Sequence, residues 1–202
     1  MNAFSPQIKR DYSLDGPENR HAVEVGLASA EWYHSEVPRK VMKSLMRRSD
    51  EAADRDTVLW FLLLIFTGSA TIALWGSWWV LPFLLGYGVL YGTACDSRWH
   101  ECGHGTAFKT DWKNNAVYHI ASFMVMRNPI SWRWSHARHH TDTIIVGRDP
   151  EIVLMRPPEI AMAALKFIGV PDIFYELRTL ARNAAGIITE AEKDYIPEAE
   201  RP

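Results

Sequence analysis

TVLWFLLLIFTGSATIALWGSWWVLPFLLGYGVLYGTAC, residues Thr57 to Cys95, runs for 39 positions without an Asp, Glu, Lys or Arg. As one straight helix it would reach about 58 Å, near twice the ~30 Å hydrocarbon thickness of a bilayer. Two crossings fit better than one. The break falls at Trp75-Gly76-Ser77-Trp78-Trp79, where a Gly-Ser turn is bracketed by indoles of the kind that settle at a membrane interface. The run therefore predicts a helical hairpin, Thr57 to Leu74 and Trp79 to Asp96. A buried helix pair in a soluble protein would show a polar face, and this run has none.

The flanks set the orientation. Arg39, Lys40, Lys43, Arg47, Arg48 and Arg55 precede the run, Arg98, Lys109 and Lys113 follow it, and the turn between has no basic residue. By the positive-inside rule both ends of the hairpin are cytoplasmic. The expected fold class is all-α: an integral membrane helical hairpin with cytoplasmic helices carrying histidine clusters. The expected organisation is an N-terminal segment over 1–56, the hairpin over 57–96 and a histidine-bearing region over 97–202. The mean hydropathy of -0.16 conceals this division. A net charge of -2 argues against nucleic acid as a partner. No apolar core of signal-peptide type lies in the first thirty residues, so insertion would rely on the spans themselves.

Around the hairpin, Met1 to about Glu31 is polar and mixed and is expected to dock loosely. Val37 to Arg48 is expected to be a helix with Pro38 in its first turn. Val41, Met42, Leu45 and Met46 form its apolar stripe and Arg39, Lys40, Lys43 and Arg47 its basic side. It reads either as lying on the cytoplasmic membrane surface or as packing on the protein's own soluble part. Pro82, Gly86, Gly88 and Gly92 in the second span permit close helix packing, or a groove for an acyl chain. Asp96 and Arg98 mark the exit from the bilayer. Cys95 and Cys102 are read as small packing residues.

Beyond the exit lie two histidine clusters, His100-Glu-Cys-Gly-His104 and His136-Ala-Arg-His139-His140. Residues three and four apart share a helix face, so each cluster can aim its imidazoles at one point. Several imidazoles converging without thiolates suit a redox-capable metal or zinc. Trp112 to Met126 predicts an interfacial helix too short to span, with His119 as a weak further ligand. Ser131 to His140 follows the Asn128-Pro129 break, with Trp132 and Trp134 placed to anchor it near the membrane. Asp142, Asp149 and Glu151 offer carboxylates that could accept a ligand's free imidazole N–H, fixing its tautomer. His21 and His34 are isolated and read as surface residues. Pro157-Pro158 is expected to open a helix. Asp172 to Ala185 is expected to form another, with Ile173, Leu177, Leu180 and Ala184 on one stripe and Gly186 ending it.

His100-Glu101-Cys102-Gly103-His104 also satisfies the H-E-x-x-H pattern of zinc proteases, with Glu101 as general base. One further ligand would complete such a site, whereas the second cluster supplies three histidines. The extended form of that motif fails at Ala107 and Thr110. Five or more ligands are better explained by two metals.

A span pair, H-x-x-x-H, about thirty residues and H-x-x-H-H together resemble the membrane fatty acid desaturases and their hydroxylase relatives. The wording His100-Glu-Cys-Gly-His-Gly105 and His136-Ala-Arg-His-His-Thr-Asp142 is close to the desaturase branch, and the resemblance covers roughly Val37 to Glu151. It implies two iron ions held mainly by histidine, O2 as oxidant, and two electrons from a redox partner of ferredoxin or cytochrome type. The implied reaction removes two hydrogens from a lipid acyl chain. By residue it implies His100, His104, His136, His139 and His140 as ligands; Glu101, Asp142, Asp149 and Glu151 are the candidate carboxylates behind them on the reading of the residues. The family's third histidine box, another H-x-x-H-H after a second hairpin, is missing from these residues, and no histidine follows His140. The expectation is an N-terminal part of a longer enzyme, inactive alone. The alternatives are a hydroxylase or oxygenase on the same scaffold, an intramembrane zinc protease, or a truncated membrane protein without turnover.

Overall fold

The computed structural model describes residues 10–31, 33–95, 97–152 and 155–201. Asp96, expected at the bilayer exit, and the side chain of Cys95 lie outside the described residues. All regular structure among them is helical: α1 (Pro17–Glu24), α2 (Arg39–Leu45), α3 (Asp50–Ala73), α4 (Val80–Gly92), α5 (Ser97–Gly103), α6 (Asp111–Met124), α7 (Pro129–Asp142), α8 (Ile160–Phe167), α9 (Val170–Ala184) and α10 (Glu190–Tyr195), with short 3-10 turns. The chain divides into two compact units, one of residues 35–129 and one combining 1–34 with 130–202.

In the first unit α3 begins at Asp50, seven residues before the expected Thr57. Its first turn carries Asp50 and Glu51, whose charge complements the helix N-terminus. Its buried residues are Trp60, Leu64 and Thr71, a stripe facing α4. The Trp60 indole donates to the Leu90 carbonyl at 2.9 Å, and Phe66 meets Phe83 edge-on at 6.0 Å, so the two helices run antiparallel. The remaining faces are apolar and open, with Leu62, Ile65, Phe66 and Ile72 more than half exposed. Within Arg39–Ala73 an 18-residue window is apolar enough to cross a membrane, with a mean hydropathy of 1.7, and only 11% of that window is buried in the protein. So little burial separates it from the core helix of a soluble protein.

The expected second span is shorter than predicted. In place of Trp79 to Asp96 the structure has the 13 residues of α4 and then a 3-10 turn, Thr93–Cys95. Thirteen residues give about 20 Å, short of a bilayer core. Three glycines weaken this helix, and the Thr93 hydroxyl turns back to the Leu90 carbonyl at 2.7 Å. The basic helix is also shorter than expected, Arg39–Leu45 rather than Val37 to Arg48.

The second unit ties the N-terminal segment down more firmly than its sequence suggests. Ala22 is buried, the Arg148 guanidinium donates to Asn19 at 2.9 Å, and the Arg156 N–H donates to the Tyr12 hydroxyl at 3.0 Å. A capping box, Thr189 with Glu192, opens α10. From this part of the chain Asp194 and Glu200 reach α7, accepting from Arg138 at 2.6 Å and from the Trp134 indole at 3.0 Å. Trp134 thus bonds a carboxylate of its own unit. Helix α9 has its predicted stripe, but Ile173, Phe174 and Leu177 face outward while Asn183 on the polar side is buried.

Candidate metal centre

In the first unit, α5 carries His100, and the His104 N–H donates to the His100 carbonyl at 3.1 Å, so the helical path continues through His104. Gly105 then adopts a φ of +69°. The Gly105 N–H donates to Cys102 and the Thr106 N–H to Glu101, the paired bonds of a Schellman turn that a Cβ would disfavour. The two rings stand 4.8 Å apart at 82°, and their nearest ligand nitrogens are within 4.8 Å.

Glu101 sits behind this pair. Its Oε1 lies 2.8 Å from His100 Nδ1 and its Oε2 accepts the Thr106 hydroxyl at 2.8 Å. These bonds, from His100 first and Thr106 second, hold the carboxyl below its ordinary range. Cys102 is 3% exposed, and burial pushes its thiol up to about 11, in keeping with a packing group.

The loop after His104 is fastened from three elements. Buried Asn114 on α6 both accepts from the Phe108 N–H (3.0 Å) and donates to its carbonyl (2.9 Å). Asp50 on α3 accepts the Thr110 N–H at 2.9 Å. Arg48 donates to the carbonyls of Gly105 and Phe108. None of Thr106, Asn114 and Arg48 stands out in sequence. The one local signal is a hydroxyl residue just past the helix that carries Glu101.

In the second unit α7 places His136, His139 and His140 one turn apart on one face. His136 Nε2 and His140 Nε2 are 3.1 Å apart. His136 Nδ1 lies 3.0 Å from both oxygens of Glu151, and His139 Nδ1 lies 2.9 Å from Asp149 Oδ1. Beyond α7 the chain doubles back to deliver these carboxylates. Ile144 holds a φ of +67°, a rare state for a β-branched residue, and its N–H donates to Asp149 Oδ2 at 2.8 Å. The Glu151 N–H donates to Asp149 Oδ1 at 2.8 Å, so one buried carboxylate organises the loop and a histidine together.

Asp142 differs from its expected role. Its carboxylate accepts from Arg148 Nε at 2.8 Å and pairs with Arg138 Nε at 3.2 Å, closing the loop with ion pairs rather than backing an imidazole. His119 is exposed beside Tyr118, and His21 and His34 are exposed as expected.

The donor set suits a borderline metal ion. Carboxylates on the Nδ1 side of His100, His136 and His139 favour the tautomer that leaves Nε2 as a lone-pair donor. Two ring nitrogens 3.1 Å apart match adjacent ligands on one ion at metal–nitrogen distances of about 2.0–2.1 Å.

A family model described as fatty acid desaturase matches residues 73–197. Among curated proteins, the chain is similar to the Delta(12) fatty acid desaturase of Mortierella isabellina, with 32% identity over 90 residues covering 40% of this chain and 22% of the relative. It is similar to the Omega-6 fatty acid desaturase, endoplasmic reticulum isozyme 1, of Glycine max, with 31% identity over 88 residues, 42% of this chain and 22% of the relative. The Delta(12)-acyl-lipid-desaturase of Punica granatum shares 29% identity over the same shares. The matched stretch spans 22% of the length of these relatives. No solved structure matches the chain.

Proposed function

The chain belongs to the fatty acid desaturase family, and from that premise we propose that it serves a membrane-bound, O2-dependent fatty acyl desaturase. His100, His104, His136, His139 and His140 are the proposed ligands of two iron ions, with Glu101, Asp149 and Glu151 behind them. The observation that carries this reading is the carboxylate on the Nδ1 side of three of these histidines, the arrangement that prepares imidazoles as ligands.

When bound, the iron supplies the oxidising power that no side chain has against an unactivated methylene. The balance takes two hydrogens from the acyl chain, two electrons from the redox partner and two protons from solvent, and reduces O2 to two waters. An electron carrier of ferredoxin or cytochrome type fills that role. The chain's own residues do the holding. Asp149 and Glu151 keep His139 and His136 in one tautomer, and Glu101 with Thr106 does so for His100. The α3–α4 pair is proposed to sit in the bilayer with the histidines on the cytoplasmic side, because the basic residues flank it on that side alone.

The relatives are named for Delta(12), omega-6 and acyl-lipid desaturation, so a double bond at that position of an acyl lipid is the first product to look for. The same scaffold could also run as a hydroxylase, and product analysis separates the two. The zinc protease reading is disfavoured by Glu101, whose two oxygens are both engaged, on His100 and on Thr106.

The test is expression of the complete reading frame in a host that lacks polyunsaturated acyl chains, followed by gas chromatography of its lipids and metal analysis of the purified protein. A new double bond with iron present supports the reading. A hydroxylated product moves it to the hydroxylase. Zinc with cleaved protein substrate overturns it.

A further inference from the structure

Residues 37–48 carry Arg39, Lys40, Lys43, Arg47 and Arg48 and no acidic residue. All of residues 33–49 are exposed, so α2 lies at the surface of its unit. Val41 is 46% exposed, Leu45 73% and Met46 70%. At 100° per residue these apolar side chains fall on one side of α2, and Arg39, Lys40, Lys43 and Arg47 on the other. The acidic residues that follow are taken up elsewhere: Asp50 accepts from Thr110, and Asp54 pairs with Lys113 at 2.7 Å. Glu36 and Glu51 are the exposed carboxylates that flank this segment, so Arg39, Lys40, Lys43 and Arg47 keep an excess of positive charge on α2 and its edge, while Arg48 is spent on the carbonyls of Gly105 and Phe108.

We propose that α2 is a docking surface for anionic lipid, with Val41, Leu45 and Met46 sunk among the acyl chains and Arg39, Lys40, Lys43 and Arg47 at the level of the phosphates. Seven residues are too short to cross a bilayer but suffice to lie in its interface. Charge selects the occupant: a purely apolar partner would leave the cationic excess unmatched, and a neutral lipid surface would match only the stripe. Through Arg48 the docked helix also holds the loop that follows His104 at the lipid surface. This inference rests on reading α3 as a membrane span.

The test uses the full chain with its native cysteines replaced by alanine, reconstituted in vesicles. An environment-sensitive fluorophore is placed at Leu45→Cys, or at Ile65→Cys on α3 as a control, and quenching is read with spin-labelled lipid. In phosphatidylcholine–phosphatidylglycerol vesicles both positions are expected to be quenched. In pure phosphatidylcholine, in high salt, or in the R39Q/K40Q/K43Q/R47Q variant, quenching at position 45 is expected to fall at least fivefold, about the factor carried by one basic residue at an anionic surface. Position 65 should not change. The salt response of the unaltered helix keeps the test valid if the variant misfolds. Equal quenching at 45 in neutral and anionic vesicles overturns charge recognition. Protection of 45 from aqueous iodide without lipid quenching overturns it in favour of a protein cover. Quenching at 65 but not at 45 removes the docking alone, whereas no quenching at 65 removes the membrane span and the docking with it.

Discussion

His139 Nδ1 stands 2.9 Å from Asp149 Oδ1, and Asp149 is only 4% exposed. The same carboxylate takes the N–H groups of Ile144 and Glu151, so it sets both the tautomer of a proposed ligand and the path of the loop behind it. Asp149→Asn keeps the volume but turns one acceptor into a donor, so the Nδ1 proton of His139 or the Ile144 N–H loses its partner. Metal affinity is expected to fall about 10–100-fold, measured by metal titration of the purified complete protein, with circular dichroism unchanged.

His139→Ala removes a proposed ligand and should abolish turnover and lower the bound iron. His119→Ala should leave both unchanged, because that ring is exposed on α6 beside Tyr118. Iron content read beside product formation separates a ligand from a bystander.

Gly147 has a φ of +79°, and a Cβ there would meet the Asn19 backbone nitrogen at 2.6 Å. Gly147→Ala is expected to destabilise the second unit by about 1–3 kcal/mol from the backbone conformation alone, with more from the clash. Denaturant unfolding of the purified protein measures it.

Burial raises the Tyr195 phenol above its ordinary value, with the charge of Glu192 adding to the shift. The folded state then favours the protonated form, so this contribution is complete below about pH 10 and is lost as pH rises through the folded value. Alkaline unfolding should start at higher pH in Tyr195→Phe. An unchanged midpoint would remove Tyr195 from the cause.

From the sequence alone, the helical character, the uncharged run and both histidine clusters could be read, because each depends on periodicity or composition within a short stretch. The backing roles of Asp149 and Glu151 were anticipated, though nothing local distinguished them from Asp142. Only the folded loop decided among the three, by turning Asp142 to Arg138 and Arg148 and delivering the other two to imidazoles. Helix ends also needed tertiary context: α3 gained about two turns where Asp50 and Asp54 met Thr110 and Lys113, and α4 stopped short where its glycines gave little helical support. The stripe on α9 was visible as a pattern, but which side faces inward depends on the polar partners that α10 supplies. Local patterns specify what a segment can become. Long-range hydrogen bonds and ion pairs choose the partner, and those depend on positions that only the folded chain brings together.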